Sequence, residues 1–310
     1  MAINTLATAT NFQKALDVLA VREAVTGWME ANAGKVKYTG GAEVKIPKMT
    51  VQGLGDYDRD NGYLMGSSAL EYETKKMTQD RGRKFQLDSM DVDETNFVAT
   101  ASSVMGEFQR TKVIPEIDAY RLSKIATEAI NANVAGMVQY GYTPGAANTS
   151  ALRKVKEGIA AIRDLGYDGP LVIHATDSFI LELELELANK ISTVNFKKGG
   201  IITKVPAVDE VPIIPTPANR LVTAIKLNDG KTSGQETGGF EKGATAKDIN
   251  FEIMPLKTPV AISKQDKMRI FDPNTNQKAD AWAMDYRRFH DLWILENKVN
   301  SIYVSIKDSE

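Results

Sequence analysis

Cysteine is absent from the 310-residue chain. This excludes disulfides, thiolate metal sites and cysteine nucleophiles, and it fits a protein made in a reducing cytoplasm. Histidine occurs only at His174 and His290, so a histidine-based metal site or triad would have to use one of these two. His174 lies in a strand-like apolar stretch and His290 sits beside Phe289, settings that suit structural histidines better than ligands. An excess of one charge is missing too. The 38 Lys and Arg residues face 40 Asp and Glu, a net charge of −2, which gives no basic field for tight, salt-sensitive nucleic-acid binding. Nowhere do about 18 apolar residues follow one another, and Met1 to Leu19 has no basic cluster before an apolar run. Neither a membrane span nor a secretory leader is expected.

Recognisable catalytic motifs are also lacking. There is no Gly-x-Ser-x-Gly elbow, phosphate loop or His-Glu-x-x-His pair, and Gly53-Leu54-Gly55 has neither the third glycine nor the following helix of a dinucleotide fingerprint. Glu182, Glu184 and Glu186 resemble paired carboxylates for acid–base or glycoside chemistry, but a solvated helix face explains them more simply. No catalytic, cofactor-binding or metal-binding residue is therefore assigned. The rival reading, a hydrolase using acidic residues, requires a deep pocket with two converging carboxylates of perturbed pKa.

What is present is a folded chain. Its 310 residues suffice for one large or two ordinary domains, and 43% hydrophobic content supplies a core. Residues 1–32 open with small and polar residues and then show patchy helical spacing at Phe12, Leu16, Leu19, Val25 and Trp28, consistent with a partly helical arm. From 34 to 90 the texture becomes strand-like, over Glu43–Thr50, Ala69–Thr78 and Lys84–Leu87. Between the first two lies Asp56-Tyr57-Asp58-Arg59-Asp60-Asn61-Gly62, whose Asn-Gly can supply the positive φ of a tight turn. A polar hairpin this long has little core of its own, so it should lean on something, most economically a neighbouring copy. Taken alone it fits an ordinary surface hairpin equally well. Arg81, Arg83 and Lys84 form a basic cluster at its base, suited to phosphates or to acidic residues of another subunit such as Asp56 to Asp60; the balanced net charge favours the protein partner.

Asp93 is placed to cap a helix running to about Gln109, and Pro115 to open a second one with Glu116 and Asp118 near its positive end. Leu122, Ile125, Ala126, Ala129 and Ile130 then share one helix face. The Gly, Pro and Asn residues of 141–149 mark a boundary, after which Leu152, Val155, Ile159 and Ile162 again show helical spacing. Pro170–His174 reads as a buried strand and Phe179–Leu187 as a helix capped by Thr176 or Asp177. Strands are expected at Ile201–Val205, Val211–Ile214, Leu221–Leu227, Phe289–Leu295 and Val299–Ile306, with an exposed loop over 228–250.

Read in this order, the chain resembles the major capsid proteins of tailed bacteriophages with the Hong Kong 97-like capsid fold. The resemblance rests on Arg83-Lys84-Phe85-Gln86-Leu87-Asp88-Ser89-Met90-Asp91, on Val113-Ile114-Pro115-Glu116-Ile117-Asp118-Ala119-Tyr120-Arg121, and on the closing Phe289-His290-Asp291-Leu292-Trp293-Ile294-Leu295 with Ile302-Tyr303-Val304. It implies an α+β fold with an N-terminal arm over 1–32, an extended-loop β-hairpin with flanking strands over 33–92, and a peripheral domain with a long spine helix over 93–145. An axial α/β domain follows over 146–310, part of 245–265 returning to the peripheral sheet.

The resemblance further implies a non-enzymatic coat protein without cofactors, self-assembling as pentamers and hexamers of an icosahedral shell. That shell would hold double-stranded DNA non-specifically, touch no membrane, be assembled in the host bacterial cytoplasm and mature from a procapsid to the virion. Inter-subunit contacts are expected at Trp28, Asp58, Arg59, Asp60, Asn61, Gly62, Arg81, Arg83 and Lys84. The arm begins almost at Met1 with no heptad-rich prefix, so the resemblance implies a separate scaffolding protein or a chain already trimmed, with a portal and a decoration protein as further partners. Cross-linking through Lys45, Lys48, Lys75 or Lys76 is a minor expectation. An encapsulin-like nanocompartment, enclosing protein cargo instead of DNA, is the alternative within the same fold.

Overall fold

The computed structural model describes residues 24–35, 37–38, 43–60, 62–63, 65–88, 104–146, 150–187, 192–198, 201–271 and 281–310. Most of the expected arm, the Asp93 cap and Asn61 lie outside the described residues.

The core is organised by a seven-stranded mixed sheet with strand order β5-β15-β12-β6-β9-β8-β7. Its strands are β5 (Val138–Gln139), β6 (Leu171–Ala175), β7 (Ser192–Lys198), β8 (Ile201–Val208), β9 (Val211–Pro215), β12 (Ile249–Pro255) and β15 (Tyr303–Ile306). All residues of β6, β12 and β15 are buried. That follows from helices lying on both faces, which forces a near-continuous apolar run where a half-exposed strand would alternate.

On one face, Phe251, Ile253, Ile173 and Tyr303 meet Val155 and Ile162 of helix α2 (Ala151–Asp164) and Phe179 and Leu183 of α3 (Asp177–Glu186). The approach of α2 is close enough to need glycine, because a Cβ on Gly158 would stand 2.8 Å from both Ile253 Cδ1 and Tyr303 Cδ1. On the other face, Val172, Ile214, Met254 and Val304 meet Leu122, Ile125, Ala126 and Ala129 of α1 (Ile114–Ala132), along with Val25, Trp28 and Met29. The shared helix face expected over 122–130 is thus the one that packs on the sheet, with Ile130 partly buried at its edge.

The expected helix start at Pro115 is corrected. The helix is continuous from 104 to 132, passing through a π-helical turn at Gln109–Val113 immediately before the proline. Pro115 has no N–H to donate, and the widened turn re-routes the ladder at that point without ending it. The helix does end at Asn133, in the left-handed region at φ +46°.

A second sheet joins β13 (Pro259–Phe271), β14 (Ala281–Ile294) and β4 (Gln79–Asp88), all antiparallel. Sequence reading found only the end of β14 and missed β13, whose Ser-Lys-Gln-Asp-Lys stretch carries no apolar alternation. From this sheet springs the long hairpin of β2 (Glu43–Val51) and β3 (Ser68–Lys76), with β1 (Lys37–Tyr38) beside it. Residues 221–227 and 228–250 also differ from expectation: only Ile225–Leu227 forms a strand there (β10), and it pairs with β11 (Phe240–Lys242) inside the expected loop.

Candidate assembly surface

The hairpin is anchored at its base and uncovered beyond it. Val44, Ile46 and Met77 bury against Val260, Ile262 and Trp293. Past Ile46 the burial stops: Met49, Val51, Leu54, Tyr57, Tyr63, Met65, Leu70 and Tyr72 are eight of the twelve large exposed hydrophobics among the described residues, and Leu54 and Met65 are fully exposed. An apolar set of that size on one excursion marks an interaction surface. The tip is ordered by its own contacts. Asp58 and Gly62 exchange backbone hydrogen bonds of 3.3 and 2.8 Å, and Asp58 Oδ1 accepts the Asp60 N–H. Gly62 takes φ +80°, the expected role for a glycine there, and the Tyr57 and Tyr63 rings lie 4.9 Å apart.

Asp291 of β14 fixes the base. Its carboxylate accepts from Thr78 N–H and Oγ1 (both 2.9 Å), Tyr120 Oη (2.7 Å), Lys124 Nζ (2.6 Å) and its neighbour Leu292 N–H (2.8 Å). Burial would push this carboxyl up, but the Lys124 ammonium and these donors hold it below the ordinary aspartate value. One acid thereby ties the hairpin base, α1 and the second sheet together.

A second junction holds the N-terminal segment. Val25 N–H, Thr26 N–H and Arg220 Nη1 all donate to the Asp118 carboxylate of α1. Arg121 and Arg288 converge on Glu30 at 2.6 and 3.1 Å, and although burial opposes its charge, the two guanidiniums keep its pKa below the usual glutamate value. Trp28 lies within this anchor. The indole N–H donates to His174 Nε2 (3.2 Å), and His174 Nδ1 meets Thr216 Oγ1 (3.2 Å), which in turn donates to the Ile214 carbonyl (3.1 Å). That chain of donors and acceptors fits a neutral His174 protonated on Nδ1, a structural histidine.

The other expected contact residues divide. Trp28 is corrected: at 5% exposure it belongs to the chain's own core, where its ring packs on His174 and Phe196. Arg81 is likewise engaged at home, its guanidinium gripping Glu116 with bonds of 2.6 and 3.1 Å and also reaching the Gly239 carbonyl. Arg83 is exposed and donates to the Glu236 carbonyl, and Lys84 is exposed on β4 across from Asp285. Asp58, Arg59 and Asp60 are exposed at the tip, next to a partly exposed Gly62. The apolar tip residues were missed in the sequence, where the acidic turn drew attention away from Leu54, Tyr57, Tyr63 and Met65. The available signal was four large apolar residues inside the polar turn, outside both strands.

Of the three glutamates weighed for acid–base chemistry, Glu186 is engaged as a helix cap. Burial opposes ionisation of Glu186, but N–H donation from Leu152 and Ala151 and the Ser150 hydroxyl outweigh it and lower its pKa, so this carboxylate caps α2. Burial also holds the carboxyl of Glu252, fully buried in β12, well above the usual range. The described residues contain no cluster of three or more His, Cys, Asp or Glu suited to a metal, and no helix among them is long and apolar enough to cross a membrane.

The fold is the α+β, Hong Kong 97-like capsid fold. Three solved structures carry that statement. The chain superposes on one described as the asymmetric unit of the bacteriophage PhiM1 mature capsid, with a TM-score of 0.56 and 12% identity over 86% of this chain and 82% of that one. Mycobacterium phage Che8 gives 0.55 and 10% over 87% and 86%. The capsid structure of Cyanophage P-SCSP1u gives 0.54 and 10% over 87% and 84%. No family model matches the sequence, and no curated protein matches it either.

Proposed function

We propose that this chain is a non-enzymatic, shell-forming structural protein, the major capsid protein of a tailed phage. The observation that carries the reading is the hairpin of a capsid-fold chain bearing eight uncovered large apolar side chains, a surface that only another molecule can bury. In the proposed shell, pentamers and hexamers close by symmetry, each copy covering a neighbour's hairpin, and many modest contacts add through multivalency. The segments over 33–92, 93–145 and 146–310 then act as extended loop, peripheral domain and axial domain. Double-stranded DNA is retained inside by confinement, which suits a net charge of −2. Scaffolding, portal and decoration proteins are the partners of this reading, and the virion, built in the bacterial cytoplasm, is its location.

The test is size-exclusion chromatography with light scattering, followed by negative-stain microscopy of any large fraction. Capsomers, tubes or shells are expected; a compact monomer across protein and salt concentrations means either that assembly requires the scaffolding protein or that the capsid reading is wrong. Particles that contain an enzyme and no DNA would move it to a nanocompartment with the same fold.

A further inference from the structure

We propose that Glu252 and His174 form a proton-held latch on the 3-10 helical segment Gly27–Lys35: while the Glu252 carboxyl keeps its proton Trp28 stays docked, and loss of that proton favours release of the segment from the sheet. The latch belongs to the single copy and does not depend on assembly. Glu252 is fully buried, and neither of its carboxyl oxygens has a hydrogen-bond partner among the described residues. A native core seldom leaves a polar side chain in that condition. Antiparallel pairing of β12 with β6 puts Glu252 directly across from His174, on the face where Val172 and Met254 meet α1 and Trp28. The Trp28 ring lies stacked on His174, their centroids 6.0 Å apart, so lifting Trp28 uncovers the pair.

The surroundings leave an ionised Glu252 without a cation. On this side of the sheet α1 presents Leu122, Ile125, Ala126 and Ala129, β15 presents Val304, and β9 presents Ile214 with Thr216 beyond it. Arg121 of α1 is turned to Thr26 and Glu30, and Glu30 of the segment is tied to Arg121 and Arg288. His174 is the titratable neighbour that remains. When the carboxyl gives its proton to solvent, the carboxylate needs a donor, and His174 can become one. Its ring proton leaves Nδ1 for Nε2, the Thr216 hydroxyl turns from the Ile214 carbonyl to donate to Nδ1, and the Nε2–H is given to Glu252. One proton is lost to solvent and one changes nitrogen. Nε2 can then no longer accept the Trp28 indole N–H.

The docked form binds the proton, whereas a carboxyl hydrated by opening ionises above about 4.3. Opening of the segment should therefore grow about tenfold per pH unit from near pH 5 until the docked form itself ionises. Hydrogen exchange of the full chain, read by mass spectrometry between pH 5 and 8 and corrected for the intrinsic rate at each pH, measures that opening. Protection of the amides of 27–35 should fall about tenfold per unit in the wild type, at values below those of β6 and β12, since the segment opens without the sheet. It should stay level in Glu252→Gln and in Glu252→Met, which carry no titrating group at this position; the second chain serves if the first fails to fold. Level protection in the wild type, or the same slope in the substituted chains, would overturn the latch. Equal protection of 27–35, β6 and β12 at every pH would also overturn it, because the segment would then open only with the whole copy.

Discussion

The seven-stranded sheet and the hairpin are both β structure, yet they treat apolar side chains in opposite ways. In β6, β12 and β15 every residue is buried by helices on both faces, whereas from Met49 to Tyr72 the large apolar side chains face solvent. A sheet covered on both sides supplies the stability of the single copy, and a hairpin with a core only at its base supplies almost none. The difference separates what folds the chain from what would join it to others, and substitutions in the two regions should therefore report on different equilibria.

The largest effect belongs to the sheet. Phe251 is fully buried, with its ring 4.6 Å from Phe179 and 5.9 Å from Tyr303. Phe251→Ala should cost about 3–5 kcal/mol, read as a lower denaturant midpoint of the single copy. A loss of under about 1 kcal/mol would mean that this face is not the stabilising core it looks to be.

Next comes a pH effect in the same strand. Burial holds Glu252 protonated well above the usual glutamate pKa, on the face it shares with its cross-strand neighbour His174. An unfolded glutamate ionises above about 4.3, so in this window the folded chain binds one proton more than the unfolded chain, and stability falls as pH rises. Relative to Glu252→Gln, which does not titrate, the wild type should lose about 1.4 kcal/mol per pH unit from near pH 5 until the folded pKa is reached. Parallel stability profiles for the two chains between pH 5 and 8 would show that Glu252 is not buried as a neutral acid.

A smaller loss is expected at the N-terminal anchor. Trp28→Phe keeps an aromatic ring but removes the indole N–H donated to His174 Nε2 and part of the buried bicycle, at a cost of about 1–3 kcal/mol. The measurement is again the unfolding midpoint of the single copy. If Trp28 were an inter-subunit contact, as the sequence suggested, the same change would leave that midpoint alone and reduce assembly.

Trp28 also shows where sequence reading stops. Strands with local signals were legible: Glu43–Val51, Ser68–Lys76 and Leu171–Ala175 fall within a few residues of expectation, as does the α1 face from Leu122 to Ala129. What failed depends on distant partners. Trp28 looked like an arm residue because its hydrogen-bond acceptor is 146 positions away. Strand β13 was invisible because a strand paired along its length with β14 needs no apolar alternation of its own. Arg81 and Glu116 are 35 residues apart, so their pairing could not be told from a pairing between copies.

The smallest effect on the single copy is the sharpest test of the comparison. Leu54, Tyr63 and Met65 are 106%, 90% and 102% exposed, so replacing all three with serine removes no core contact, only the ring contact of Tyr63 with Tyr57 within the tip, and should shift the unfolding free energy by no more than about 0.5 kcal/mol. Assembly should respond in the opposite proportion, because these side chains can be taken from water only by another molecule. Light scattering should then show a stable chain that no longer forms large particles. If the triple substitution instead unfolds the single copy, the hairpin contributes to the fold and the division between sheet and hairpin fails. If the copy is stable and particles still form at the wild-type yield, the apolar tip is surface without a partner, and the contacts that close the shell must be sought along the anchored base, where Thr78, Tyr120 and Lys124 meet Asp291.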